Sequence, residues 1–277
     1  MPTIIFHPGI GKTGTTAIQR YAKKHLVSED SGINLIYSPI GLDDKDVHNS
    51  FADNHPTFNP HTCSNNVLKL IEFAKGTQKN VLVSSEFLIR SSAPHIRQML
   101  ETIRSHNVQV KVVVSIRNYV DYLISSYLQA IKVKWGMKPG ETLAQYSARE
   151  LQNVRMTMLV DQWARVIGDN NIYIFDYDKH KNDLLNVFFS ALAEEQVEIQ
   201  GNNERVNSSI KLSYANTLLA FDKVSNNMQQ RADLIALLNR CSFELFDESQ
   251  HKREVQNIVK NQYSHDVDRL QARYNLI

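Results

Sequence analysis

The chain has 277 residues, enough for one large α/β domain with a sizeable core. A formal net charge of +2 lacks the basic bias of a dedicated nucleic-acid binder, and two cysteines, Cys63 and Cys241, exclude a disulfide framework or a CxxC-type zinc site. The first residues lack a signal peptide's basic start and apolar core, and no apolar run is long enough to cross a bilayer, so the sequence predicts a cytoplasmic protein with peripheral membrane contact left open.

Taken in chain order, Thr3 to Phe6 reads as a short buried strand running into a glycine-rich turn. Thr16 to Leu26 follows as a helix, with Ile18, Tyr21, Ala22 and His25 on one face. Ile33 to Tyr37 is a second strand. Asp43 to Asn66, rich in His, Asn, Asp and Pro, reads as a long irregular excursion. Val67 to Lys75 is helical, and Val81 to Val83 is a third strand. Val110 to Ile116 is the clearest strand, and the helix after it carries Val120, Leu123, Ile124, Tyr127, Leu128 and Ile131 at helical spacing. Ile172 to Phe175 is another buried strand, and the chain from Leu184 onward is mainly helical. Apolar strands separated by helices predict a parallel sheet covered on both faces. Repeats, low-complexity tracts and composition shifts are absent, so residues 1–277 are expected to form a single domain.

The turn after the first strand, Gly9-Ile10-Gly11-Lys12-Thr13-Gly14-Thr15-Thr16, has the chemistry of an anion site. Glycines let the backbone turn its N–H groups inward, and the following helix N-terminus adds partial positive charge. Lys12 supplies a full charge, and Thr13, Thr15 and Thr16 supply hydroxyl donors. These suit a phosphate or a sulfate, the alternative being a Thr-capped turn with no ligand. A strict Walker A loop would need glycine where Phe6 stands.

Arg117 ends the clearest strand, at the carboxyl edge where parallel sheets bind ligands. Ser125, eight positions on, lies off the apolar stripe of its helix. Arg suits bidentate phosphate binding, although a strand-terminal Arg also forms structural ion pairs. Glu86 follows the third strand on the same edge. The run Lys132-Val133-Lys134-Trp135-Gly136-Met137-Lys138 reads as a solvated helix end, or as a surface for a sugar or an anionic acceptor.

The stretch from Ile5 to Gln19, centred on Lys12-Thr13-Gly14-Thr15-Thr16, resembles the 5′-phosphosulfate loop of sulfotransferases that use PAPS (3′-phosphoadenosine 5′-phosphosulfate). It is similar above all to bacterial carbohydrate-type members. Gly11 departs from the proline or histidine that many members carry. Arg117 and Ser125 resemble, in order and spacing, the pair that grips the 3′-phosphate in that family. Glu86 is similar to its catalytic base, with His7 and His48 as fallback bases. Arg205-Val206-Asn207-Ser208-Ser209 resembles a late RxNxS-like segment near the nucleotide, which helix capping by Asn207 or Ser208 would equally explain.

The resemblance implies a P-loop NTPase-like three-layer sandwich, its central parallel sheet flanked by helices. It also implies PAPS as donor, adenosine 3′,5′-bisphosphate as product, and in-line sulfuryl transfer to a hydroxyl, on a carbohydrate or glycolipid acceptor. Lys12 and Glu86 would be catalytic. The donor would be held by Gly11, Lys12, Thr13, Gly14, Thr15, Thr16, Arg117, Ser125, Arg205, Asn207 and Ser208. No metal is required. The competing readings are a P-loop-type small-molecule kinase using ATP and magnesium, and a nucleotide-binding regulator that has lost catalysis.

Overall fold

The apolar runs come together as one parallel sheet in the computed structural model, which describes residues 1–138, 140–199, 210–241, 248–260, 263 and 265–277. The elements in chain order are β1 (Thr3–Pro8), α1 (Thr15–His25), β2 (Leu35–Tyr37), α2 (Pro60–Gly76), β3 (Asn80–Ser85), α3 (Ala93–Ser105), β4 (Gln109–Ile116), α4 (Tyr119–Val133) and α5 (Leu143–Asn153). They continue with α6 (Met156–Ile167), β5 (Ile172–Asp176), α7 (Tyr177–His180), α8 (Leu184–Ala193), α9 (Leu212–Val224), α10 (Met228–Arg240), α11 (Ser249–Lys260), α12 (Asp266–Arg273) and β6 (Asn275–Leu276).

The chain divides into two compact units: Met1–Arg117 with Met156–Glu204 and Asp266–Ile277, and Asn118–Arg155 with Arg205–His265. The first unit holds the sheet, in the order β2-β3-β1-β4-β5-β6, with all neighbours parallel. Alternating side chains build its two covered faces. On one face Ile5, Leu82, Val113 and Phe175 pack with Ile18 and Ala22 of α1 and with Phe188 and Phe189 of α8. On the other, Phe6 meets Trp163 of α6 at a ring-centroid distance of 6.1 Å, and α3 and α6 pack on β4. Helices on both faces of a parallel sheet are the predicted three-layer α/β sandwich.

The second unit is helical. In it α4 buries Tyr122, Leu123, Ile124 and Tyr127, and the Tyr127 ring meets Tyr146 of α5 edge-on at 5.4 Å. Arg231 of α10, 1% exposed, pairs with Asp222 of α9 and donates to the carbonyls of Ile131 and Lys132 at the end of α4. A buried guanidinium is tolerable only when so fully partnered.

Two expectations are corrected. The irregular excursion ends early, because α2 starts at Pro60: Asn59 accepts from the Thr62 N–H at 3.0 Å, and Pro60 is pre-organised for a first helical position. In α1, Gln19 is buried and Leu26 is buried just beyond the helix end, whereas His25 stays exposed and stacks on Tyr21 at 4.5 Å. Among the described residues no helix is long and apolar enough to cross a membrane.

Candidate active site

The strand order brings three strand ends together. β1 lies between β3 and β4, so the turn leaving β1 is flanked by the residues that leave β3 and β4, Glu86 and Arg117. Ligands of parallel sheets bind at such a carboxyl edge, where successive connections depart to opposite sides.

The turn is folded by its own sequence. The Gly9 N–H donates to the Ser85 carbonyl at 3.2 Å, extending the ladder one residue past β1. A Cβ on Gly9 would lie 2.7 Å from Thr15 Oγ1, so this glycine lets the turn and the helix start approach closely. Buried Thr13 donates from Oγ1 to the Ile10 carbonyl at 2.5 Å and closes the turn. Lys12 and Gly14 are both left-handed, at φ 68° and 77°. That conformation is uncommon for a lysine and clusters at functional sites. Gly14 is the N-cap of α1, and no side chain caps the helix. A lysine beside an uncapped helix N-terminus fits the cradle expected for a phosphate or sulfate group.

Glu86 is exposed as a residue, yet protein atoms crowd its carboxyl. The crowding holds this carboxyl above the usual carboxylate range, against the opposing pull of the Lys12 charge and of a hydrogen bond from Thr15. A Cβ on Gly11 would meet only Glu86 Oε2, at 3.7 Å, an ordinary van der Waals contact.

Arg117 donates from Nη1 to the Lys12 carbonyl at 2.9 Å. Its Nε lies 3.6 Å from Asp178 Oδ1, and its guanidinium lies 5.1 Å from the Tyr177 ring centre. Tyr177 and Asp178 went unnoticed in the sequence. Their signal was their position immediately after β5, on the same edge as Glu86 and Arg117.

His7 and His48 are fully buried. His7 joins Ser84 and Ser115 through its two ring nitrogens, at 2.9 and 3.1 Å, and Gln19 donates to the same Ser84 hydroxyl at 3.1 Å. His48 accepts from the Ser84 N–H at 3.1 Å and its Nε2 donates to the Ser38 carbonyl at 2.9 Å. Burial pulls the imidazoles down to about 3 for His7 and about 4 for His48. Both rings are tied into the sheet and closed to an acceptor hydroxyl. Glu86 is an exposed residue whose crowded carboxyl feels the Lys12 charge.

Ser125 is half-buried on α4, in the second unit. Its neighbour Ser126 pairs with the Tyr146 hydroxyl at 2.8 Å. Arg205, Asn207 and Ser208 lie outside the described residues. In the basic run, Lys134 pairs with Asp222 at 2.7 Å, and Trp135 is 80% exposed.

The family model of the sulfotransferase domain matches residues 3–258. No curated protein matches the chain significantly in sequence. A sulfotransferase from Alicyclobacillus acidocaldarius is similar in structure at 14% identity and a TM-score of 0.48, over 86% of this chain and 96% of that one. A retinol dehydratase in complex with androsterone and inactive cofactor PAP is similar at 16% identity and a TM-score of 0.38, over 95% of this chain and 81% of that one.

Proposed function

Because this chain belongs to the sulfotransferase domain family, whose donor is PAPS, we propose that the β1–α1 turn holds the 5′-phosphosulfate while Glu86 takes the proton of an acceptor hydroxyl. The observation that carries this reading is the placing of Glu86 and Arg117 on the two strands that flank β1, with Lys12 and an uncapped helix N-terminus at the turn. The acceptor hydroxyl passes its proton to the Glu86 carboxylate as its oxygen attacks sulfur. The bond from sulfur to the bridging oxygen of the 5′-phosphate breaks, and adenosine 3′,5′-bisphosphate leaves with the electron pair. Lys12 and the first N–H groups of α1 offset the charge that develops on the leaving oxygen, where fixed donors contribute most. A carboxyl held above its usual range is a stronger base once ionised, which suits proton abstraction.

Arg117 is assigned to the 3′-phosphate, an arginine task because the planar fork takes two oxygens. From motif spacing alone, Ser125 shares that task, and Arg205, Asn207 and Ser208 contribute to the nucleotide. The acceptor proposed is a carbohydrate or glycolipid hydroxyl, as the resemblance to carbohydrate-type members implies.

The test is thermal stabilisation by adenosine 3′,5′-bisphosphate against ATP with magnesium, followed by transfer of labelled sulfuryl from PAPS to a glycan panel. Stabilisation by the bisphosphate and labelling of glycans are expected. Preference for ATP with magnesium would overturn the donor assignment, and labelling only of acceptors without sugars would overturn the acceptor class.

A further inference from the structure

One corner of the helical unit gathers exposed apolar side chains that the proposed chemistry does not use. Val133 is 48% exposed and Trp135 80%, at and just beyond the end of α4. Val224 is 84% exposed at the end of α9, and Met228 is 59% exposed at the start of α10. Hydrogen bonds and ion pairs tie the ends of α4 and α9 and the start of α10 into one corner. Lys134, between Val133 and Trp135, pairs with Asp222 at 2.7 Å, two residues before Val224. Arg231, three residues after Met228, pairs with the same Asp222 and donates to the carbonyls of Ile131 and Lys132. The Trp135 N–H is bound to the Ala130 carbonyl at 3.2 Å, which ties this residue's backbone to the helix end.

The segments that carry these side chains are richer in basic than in acidic residues. Residues 131–138 and 221–231 carry Lys132, Lys134, Lys138, Lys223 and Arg231 against the single carboxylate of Asp222. Asp222 is already engaged by Lys134 and Arg231, which hold its carboxyl below the usual range once its burial is offset. Lys138 and Lys223 are exposed. Among the described residues, Glu141 is paired with Arg149, and Asp233 accepts from the neutral Gln229 amide.

An indole projecting into water beside aliphatic side chains and a lysine collar has the chemistry of a lipid headgroup zone. Trp is favoured where apolar and polar media meet, and lysines near an anionic leaflet are attracted to it. A solvated helix end would account for the lysines, but not for four large apolar side chains gathered beside them. We propose that this corner is a peripheral membrane contact: Trp135, Val133, Val224 and Met228 enter the headgroup region of an anionic bilayer, and the exposed Lys138 and Lys223 pair with its phosphates.

The test is independent of donor and acceptor. The chain has two tryptophans, and Trp163 is fully buried, so a change in emission on adding vesicles reports Trp135. The whole protein is sedimented with vesicles of phosphatidylcholine alone and of phosphatidylcholine mixed with phosphatidylglycerol. Binding to the anionic vesicles, a blue shift, and weakening by salt are expected. W135A should lower the partition coefficient about tenfold, and K138Q with K223Q about as much again. Both variants alter exposed side chains, and unchanged thermal unfolding of the ligand-free protein checks that they fold. Absence of sedimentation with either vesicle, binding that W135A leaves intact, or a blue shift produced by soluble oligosaccharide alone would each overturn the proposal.

Discussion

Arg117 reaches across the carboxyl edge of the sheet and donates from Nη1 to the main-chain carbonyl of Lys12, at 2.9 Å. The residue at the end of β4 thus braces the turn at the end of β1, at its left-handed lysine. On the proposed reading, in which Arg117 also holds the 3′-phosphate, one guanidinium would both shape the turn and bind the ligand.

Arg117→Ala therefore separates bracing from phosphate binding. Loss of a charged hydrogen-bonding partner should weaken adenosine 3′,5′-bisphosphate roughly ten- to a hundredfold. Calorimetry should include adenosine 5′-monophosphate, which lacks the 3′-phosphate. If Arg117 grips that phosphate, the variant loses the preference for the bisphosphate. An equal loss for both nucleotides would leave Arg117 with the bracing role alone.

Two glycines of the turn should respond very unequally to a methyl group. Gly14 is left-handed, and a Cβ there would lie 2.4 Å from Leu184 Cδ2 and 3.2 Å from the Tyr177 ring. Gly14→Ala should cost roughly 2–4 kcal/mol from conformation and overpacking together. Gly11→Ala meets only Glu86 Oε2 at 3.7 Å and should be nearly neutral in stability. Urea unfolding of both variants checks the contrast, and a large loss in Gly11→Ala would contradict the turn described.

Strands β1 to β5 are legible because they are apolar runs, Val110 to Ile116 most clearly, whereas the exposed two-residue β6 carries no such pattern. Lys12, Glu86 and Arg117 were legible for a related reason: each leaves a strand whose end the hydrophobic pattern marks. The start of α2 was hidden because polar His61, Ser64 and Asn65 occupy its first turns, and the signal was the Asn59-Pro60 cap. Tyr177 and Asp178 were hidden because their role depends on strand order, which no local pattern contains. The sequence leaves His7 open as a base because no local pattern shows that Ser84 and Ser115 occupy both of its nitrogens.

Glu86→Gln should retain donor binding and abolish turnover, because the amide accepts no proton. For the wild type, kcat should rise with pH through a carboxyl ionisation displaced upward from the ordinary glutamate value. Stability should show the converse. A carboxyl whose folded pKa is raised contributes fully below its unfolded pKa, and that contribution is lost as pH rises through the folded value. Glu86→Gln should therefore match the wild type in acid and exceed it in melting temperature near neutrality, the trade expected of a strained catalytic group. Normal turnover in the variant would remove Glu86 from the proton transfer.

His7 is expected to carry much of the fold's sensitivity to acid. Its ring is neutral in the folded chain, since burial holds the imidazole at about 3 against an ordinary value of 6.5. A group lowered in this way contributes stability that is present above its unfolded pKa and is lost as pH falls from 6.5 toward 3. The displacement corresponds to about 4–5 kcal/mol across that window. His48, lowered to about 4, adds a smaller loss of the same sign. His7→Gln should be less stable at neutral pH, where the Ser84 and Ser115 hydroxyls lose their fitted partner. Its stability should then fall less steeply between neutrality and pH 4 than that of the wild type. Denaturant titrations across that range measure both slopes. Parallel curves for wild type and variant would show that His7 does not carry the acid sensitivity, and would assign it to His48 and the remaining buried groups.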